Sequence, residues 1–135
     1  MKNQQSGFTL IELIAVIVIL GILAAVAVPR FVDLSDAAEE AAVEGIAGAL
    51  ASASALNHAN NIAEDAGLTV TTAVATIENC TDVGSKLLEP ELDTDKYTIT
   101  DLDITAGTPA TCTVTSENDS TKSAEFVGYA TAPNP

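Results

Sequence analysis

The chain has 135 residues, and 19 Asp and Glu against five Lys and Arg give it a formal net charge of −14. This length accommodates one small domain. Because such a charge repels nucleic acid phosphates, we expect no nucleic acid partner. With one histidine, two cysteines and no glycine-rich phosphate loop, the sequence contains no nucleophile–base–acid set. We therefore expect neither an enzyme nor a cofactor.

An apolar segment occupies residues 8–28, interrupted only by Thr9, Glu12 and Gly21. As a helix it would span roughly 31 Å, about the thickness of a bilayer core. Residues 1–7 form a polar leader that ends at Gly7, which has no side chain, so a peptidase could approach the backbone closely there. Cleavage after Gly7 would leave the helix on the mature chain, starting with a charged α-amine on Phe8.

Glu12 follows Phe8 by four residues, so the amine and the carboxylate lie on one face of a helix. An ionised carboxylate in hydrocarbon costs several kcal/mol unless it is neutralised. In helices packed side by side, Glu12 of one copy can meet the Phe8 amine of the next, which penalises wrong staggers and sets the axial register. The alternative is that Glu12 lies at the bilayer interface without a role.

The stretch GFTLIELIAVIVILGILAAVAVPRF, residues 7–31, resembles the class III signal and N-terminal helix of type IV pilins and related pseudopilins. The resemblance implies that a prepilin peptidase at the inner membrane cuts between Gly7 and Phe8 and methylates Phe8. It also implies that Glu12 is the register glutamate of a filament. The continuation, PRFVDLSDAAEEAAVEGIAGAL, is similar to that of mannose-sensitive haemagglutinin (MSHA) type pilins.

Residues 8–60 are predicted to form a long helix, of which residues 8–28 span the membrane and later form the filament core. Pro29 removes a backbone donor and predicts a kink, and Gly21 adds a weak point, so residues 21–29 are where the helix can stretch or melt. Asp36 and Glu39 resemble a capping box, which predicts that the helix restarts near Asp36. The sequence NHANN, residues 57–61, is expected to end it.

Small residues recur every four positions along this helix, at Ala37, Ala41, Gly45, Ala49 and Ala53. Such a stripe allows close approach of neighbouring helices in a fibre, while Ile46 and Leu50 hold the head. The alternative is an Ala-rich helix that packs this face on its own sheet.

Residues 61–135 are predicted to form a β-rich head, giving an α+β fold in which the long helix packs on an antiparallel sheet. Residues 96–105, 110–116 and 123–131 have strand patterns, with a bulge or turn near Asp101, while residues 69–80 fit a strand or a short helix. Because an exported chain is oxidised, Cys80 and Cys112 are expected to form a disulfide.

Two D-x-D pairs, Asp93/Asp95 and Asp101/Asp103, offer the hard oxygen ligands that Ca²⁺ prefers, but their spacing does not match an EF-hand loop. Solvated acids are the favoured interpretation, so we predict no metal site. His58 has no neighbouring ligand in the sequence that would suggest a catalytic or metal role.

The resemblance implies a homopolymeric pilus for surface attachment or motility. The precursor would lie in the bacterial inner membrane and meet the pilus assembly machinery there, before the subunit becomes extracellular. Two alternatives stay open from the sequence: a pseudopilin of a type II secretion-like system, and a minor pilin that binds a ligand such as DNA. The high negative charge opposes the DNA-binding alternative.

Overall fold

The structure, a computed structural model, describes residues 7–132. It contains two helices and three strands in the order α1 (Leu10–Asp65), α2 (Cys80–Lys86), β1 (Tyr97–Ile99), β2 (Ala110–Ser116) and β3 (Ser123–Gly128). The chain divides into two compact units, residues 1–38 and 39–135, and α1 runs through the boundary between them. The predicted α+β class, with a long N-terminal helix and an antiparallel sheet, is confirmed.

The helix α1 is continuous from Leu10 to Asp65, with Pro29 inside it. The predicted restart near Asp36 is wrong, and Glu39 instead accepts a hydrogen bond from the Ser116 hydroxyl of β2. The predicted end at residues 57–61 is also wrong. The amide groups of Asn57 and Asn61 reach across to the head, so these residues do not compete for the helix backbone.

The sheet is a three-stranded antiparallel meander in the order β1-β2-β3. Its registry places Cys112 opposite Phe126, and Val114 opposite Ile99 on one side and Ala124 on the other. The alternation predicted for residues 110–116 is confirmed, because Cys112, Val114 and Ser116 are buried. The strand pattern predicted from residue 96 stops at Ile99, before the expected irregularity near Asp101.

The core of the head lies between this sheet and the part of α1 after residue 39. One face of the helix is buried at alternating spacings of four and three residues, by Val43, Ala47, Leu50, Ser54 and Asn57. Such spacings keep side chains on one face of a helix. The half-buried Ile46 packs beside this face, so Ile46 and Leu50 hold the head as predicted.

Residues 69–79 form neither a strand nor a helix, although the sequence favoured one of the two. Their backbone pairs with the rest of the head through isolated bridges, from Ile77 to Thr131 and from Asn79 to Asp103. Asn57 of α1 binds both backbone polar groups of Ala75. Its amide nitrogen donates to the Ala75 carbonyl at 2.9 Å, and its oxygen accepts from the Ala75 N–H at 2.9 Å. A helix side chain thus replaces the strand partner that this segment lacks.

The short helix α2 begins with a capping box. The Asn79 side chain accepts from the Thr81 N–H, and the Asp82 carboxylate accepts from the backbone N–H of Glu78 at 2.9 Å and of Asn79 at 3.2 Å. Lys86 forms an ion pair with Asp82 at 2.8 Å. These contacts fix the first residue of α2, Cys80.

The disulfide between Cys80 and Cys112 ties α2 to the central strand, with a Cα–Cα distance of 5.7 Å. Chain-entropy arguments give a link of this span on the order of 3–4 kcal/mol. Gly128 of β3 makes room for it, since a Cβ there would lie 2.8 Å from the Cys112 sulfur.

Replacing Leu50 with Ala should destabilise the head by about 2–5 kcal/mol, because Leu50 is fully buried and its loss leaves a cavity. Chemical denaturation of the full chain in detergent, followed by near-ultraviolet circular dichroism, measures this. Leu56→Ala is the matched control, because Leu56 is 64% exposed on the same helix and should change stability by less than about 0.5 kcal/mol. Equal effects of the two substitutions would contradict the assigned core.

Asp82 should stabilise the head near neutral pH, and this stabilisation should be lost in acid. Its burial raises the pKa, but the hydrogen bonds from Lys86 and the two backbone N–H groups outweigh this and lower the pKa below its ordinary value. The folded state then binds fewer protons than the unfolded state, so the stabilisation is present above about pH 4 and is lost as the pH falls through the folded pKa.

The comparison of wild type with Asp82→Asn tests this assignment. The variant should melt at a lower temperature than wild type at pH 7, and the difference should be smaller at pH 3, because the stabilisation by the lowered pKa of Asp82 declines once the pH is below the ordinary value of an aspartate. A difference in melting temperature that is the same at both pH values would contradict it.

Candidate assembly surface

The predicted cleavage bond lies just before the first helix. Gly7, Phe8 and Thr9 are outside α1, and all three are exposed. Phe8 is 91% exposed, and apart from the chain neighbours of Gly7 no atom of the described residues lies within 4 Å of the position that a Cβ of Gly7 would occupy. The bond between Gly7 and Phe8 is therefore in non-helical, accessible backbone, which is the form in which a protease binds its substrate.

Glu12 has a local partner that the sequence analysis missed. Its Oε2 accepts hydrogen bonds from the backbone N–H and from the hydroxyl of Thr9, both at 2.8 Å, while the Glu12 N–H donates to the Thr9 hydroxyl at 3.3 Å. This is a capping box at the start of α1. The sequence signal was present, since Thr9 and Glu12 have the T-x-x-E spacing, but the strong hydropathy of the segment obscures it.

The cap has a consequence for the chemistry of Glu12. Both bonds from Thr9 end on Oε2, and among the described residues none ends on Oε1. The carboxylate therefore has partial compensation inside its own chain and keeps one oxygen for a donor on another molecule. A positively charged amine is the donor that such a carboxylate binds most strongly.

The apolar segment of α1 is exposed at every described position except Ala27, which is half-buried. Large apolar side chains between Phe8 and Leu34 are 43% exposed or more, and no residue in the most apolar stretch of α1 is buried. By length and composition this helix is able to cross a membrane. Monomeric soluble proteins rarely present so large a continuous apolar surface, so it is expected to be covered by lipid or by other chains.

Gly21 and Pro29, the predicted weak points, both lie in the interior of α1. Apart from the chain neighbours of Gly21, no side chain of residues 7–132 lies within 4 Å of its Cβ position. Glycine lowers helix propensity by about 1 kcal/mol, and proline removes a backbone donor. Gly21 and Pro29 therefore lower the helix propensity of residues 21–29.

The stripe of small residues does not face the sheet. Ala37, Ala41, Gly45 and Ala49 are exposed, and Ala53 is half-buried, while Val43, Ala47 and Leu50 carry the contacts with the head. The alternative in which this stripe packs on the chain's own sheet is therefore wrong. The exposed positions leave the helix backbone open to close approach by another helix.

The head is acidic because its carboxylates greatly outnumber its cations, and those cations are already paired. Residues 39–135 contain 16 Asp and Glu but only three Lys. Lys86 pairs with Asp82, Lys96 with Asp93 at 2.8 Å, and Lys122 with Glu40 at 3.5 Å. Most of the carboxylates face water without a cation, which keeps the head soluble and repels polyanions.

The four aspartates considered as Ca²⁺ ligands do not converge. Asp93 binds Lys96 and the Asp95 N–H, whereas Asp101 and Asp103 both accept from the side-chain amide of Asn79. Within residues 7–132 no group of three or more His, Cys, Asp and Glu is arranged to hold a metal ion.

His58 lies on α1 and stacks on Tyr129, with ring centroids 4.5 Å apart and planes 7° from parallel. No carboxylate or thiol of the described residues forms a hydrogen bond with His58, and its Nδ1 is buried without a partner. The ring therefore packs the helix against the end of the sheet.

The N-terminal segment matches a known family model, that of the prokaryotic N-terminal methylation motif, over residues 2–28. PilA5, the major component of the type IV narrow pilus of Thermus thermophilus, is 64% identical over 53 residues, which are 39% of this chain and 46% of that protein. Fimbrial protein Q of Moraxella bovis is 43% identical over 84 residues, 54% of each chain.

A further relative is the type II secretion system core protein G of Pseudomonas aeruginosa, 45% identical over 62 residues, 46% of this chain and 44% of that protein. The chain spans about half the length of the curated relatives it matches. No solved structure matches it.

Proposed function

We propose that this chain, which carries the N-terminal segment of the type IV pilins, is a structural pilin subunit that polymerises through α1 into a filament. The resemblance predicted from residues 7–31 is confirmed by the methylation motif and by relatives named as pilus and fimbrial proteins. The narrower likeness to MSHA-type pilins stays a prediction. The relatives have structural names, which agrees with the expectation that the chain is not an enzyme.

One observation carries the proposal: residues 8–28 form an apolar rod that has no buried residue and one carboxylate, on a chain whose head has its own core and disulfide. The head does not need the rod for its fold, because its core is formed by residues from Val43 onward. The rod in turn must be covered by something outside the chain. Lipid covers it before assembly, and copies of the same rod cover it afterwards.

Processing comes first in this proposal. A prepilin peptidase at the bacterial inner membrane cuts the accessible bond between Gly7 and Phe8, discards residues 1–7 and methylates Phe8. The apolar rod holds the mature subunit in the membrane until the pilus assembly machinery extracts it. The acidic head, residues 61–135 with the adjoining part of α1, then lies outside the cell on the pilus, where it serves attachment or motility.

Register in the filament depends on Glu12. The Phe8 amine of one copy binds the free Oε1 of a neighbouring Glu12, while Thr9 keeps its bonds to Oε2. Leaving a carboxylate uncompensated in the rod-packed interior costs several kcal/mol, so staggers that miss this pair are disfavoured. Such head-to-tail contacts repeat without closing, which produces a fibre.

Glu12→Ala should reduce sheared surface filaments at least tenfold, while the amount of chain in the membrane stays the same. Electron microscopy and immunoblots of sheared and membrane fractions measure the two quantities. Glu44→Ala is the matched control, because it removes an exposed carboxylate from the same helix and should leave filament number unchanged. Normal filaments in the Glu12 variant would contradict the proposal.

Mass spectrometry of the N-terminus in the same sheared material tests the processing step independently. We expect a chain that starts at Phe8 with one added methyl group. A mature chain that begins after Val28 would contradict retention of the rod.

Residues 21–29 are proposed to stretch or melt when the rods pack. Pro29→Ala should restore the missing donor and make this segment helical in the filament. A cryo-electron microscopy map of the variant filament measures the rise per residue across the segment. A map in which the variant segment is unwound as in wild type would contradict proline as the cause.

A further inference from the structure

Arg30 and Asp33 follow the apolar segment on α1, and both are exposed. Among residues 7–132 the basic side chains are Arg30 and three lysines, and only Arg30 forms no ion pair. Arg30 and Asp33 have the i,i+3 spacing that permits a pair on one helix, yet no such pair forms. A guanidinium and a carboxylate are therefore available beside each other at the end of the rod.

The spacing between the two cations along the helix matches the spacing between the two carboxylates. The two cationic positions, the Phe8 amine and Arg30, are 22 residues apart, and the two anionic positions, Glu12 and Asp33, are 21 residues apart. At 1.5 Å per residue the spacings are roughly 33 Å and 31.5 Å along a helix. The difference of about 1.5 Å is far smaller than a helical turn of about 5.4 Å.

We propose that Arg30 of one subunit binds Asp33 of the neighbouring subunit whose Glu12 receives its N-terminus. This inference rests on the proposed polymerisation through α1. The partner of this surface is thus a second copy of the same chain, held by two like-oriented charge pairs. One copy supplies both cations and the other supplies both carboxylates.

The helical repeat supports the choice of Asp33. At 100° per residue, Asp33 lies about 60° from Glu12 around the axis, so one face of the helix presents both carboxylates to the same neighbour. Asp36 has a similar height along the axis but lies about 120° from Glu12, and it points away from that neighbour. Asp33 and Asp36 therefore differ in direction more than in distance.

The match in axial spacing survives the proposed melting of residues 21–29, while the directions of Asp33 and Asp36 relative to Glu12 are those of the continuous helix. That segment lies inside both intervals, between Phe8 and Arg30 and between Glu12 and Asp33. Stretching it lengthens the two spacings by the same amount in each copy. A stagger shifted by one turn in either direction breaks both pairs at once, so the second pair makes the register stricter.

Site-directed crosslinking tests the pairing directly. One strain produces two versions of the full chain, Arg30→Cys and Asp33→Cys, together with wild-type chain, and its sheared filaments are oxidised mildly. The native Cys80 and Cys112 do not interfere, because they are bonded to each other. We expect a disulfide-linked dimer on non-reducing gels.

Matched controls define the background of the crosslinking experiment. Filaments with either variant alone, or with Arg30→Cys and Asp36→Cys together, should give at least fivefold less dimer. Equal dimer yields from the Asp33 and Asp36 combinations would overturn the assignment.

Charge exchange gives a second, independent readout. Arg30→Asp and Asp33→Arg should each lower filament number several-fold, and the double variant should recover most of it, because it restores opposite charges between copies. Asp36→Arg should change filament number less than Asp33→Arg. A double variant no better than either single variant would overturn the pairing.

These outcomes separate the pairing from the proposed function. If the wild-type chain formed no filaments and Glu12→Ala had no effect, polymerisation through α1 would fail. If wild-type filaments formed and depended on Glu12, but gave neither the dimer nor the recovery, only the Arg30–Asp33 pair would fail.

Discussion

A carboxylate in an apolar rod must be compensated by hydrogen bonds or by a cation, and the rest of the molecule is consistent with that constraint. Thr9 provides the part of the compensation that the chain can make alone, by closing a capping box on Oε2. The remaining oxygen needs a donor from outside. Cleavage after Gly7 would create such a donor, an α-amine, at the start of the same helix. In the proposed mechanism Glu12 thereby links processing to polymerisation, because it binds the amine that cleavage creates.

The helix α1 has one face that packs on the head and another that stays exposed, and its side chains determine which is which. After residue 39 one face is buried by Val43, Ala47 and Leu50, and the small residues at Ala41, Gly45 and Ala49 remain exposed. The apolar contacts of the head are satisfied within the head. Assembly can therefore use the exposed face without removing any contact on which the head depends.

The head is small, and it relies on a few cross-links in place of a large sheet. The disulfide joins α2 to β2. Asn57 donates one hydrogen bond to Ala75 and accepts one from it, and Ala75 lies in a segment that belongs to no strand. Asn57 also donates to the Thr131 hydroxyl at 2.7 Å. Buried amides that satisfy backbone groups in this way hold loops that have no ladder of their own. The negative charges lie outside this framework, where they remain hydrated.

The sequence by itself determined the apolar rod and the strands at residues 110–116 and from residue 123, because these depend on hydropathy and period. The cleavage bond and the role of Glu12 stay predictions from local spacing. The tertiary structure decided the path of residues 69–79, the strand order and the true end of α1. Asn57, Asn61 and Glu39 looked like helix-ending or capping residues, but their side chains bind partners 18 to 77 residues away. Local sequence cannot reveal such partners, since the fold alone brings them within hydrogen-bonding distance.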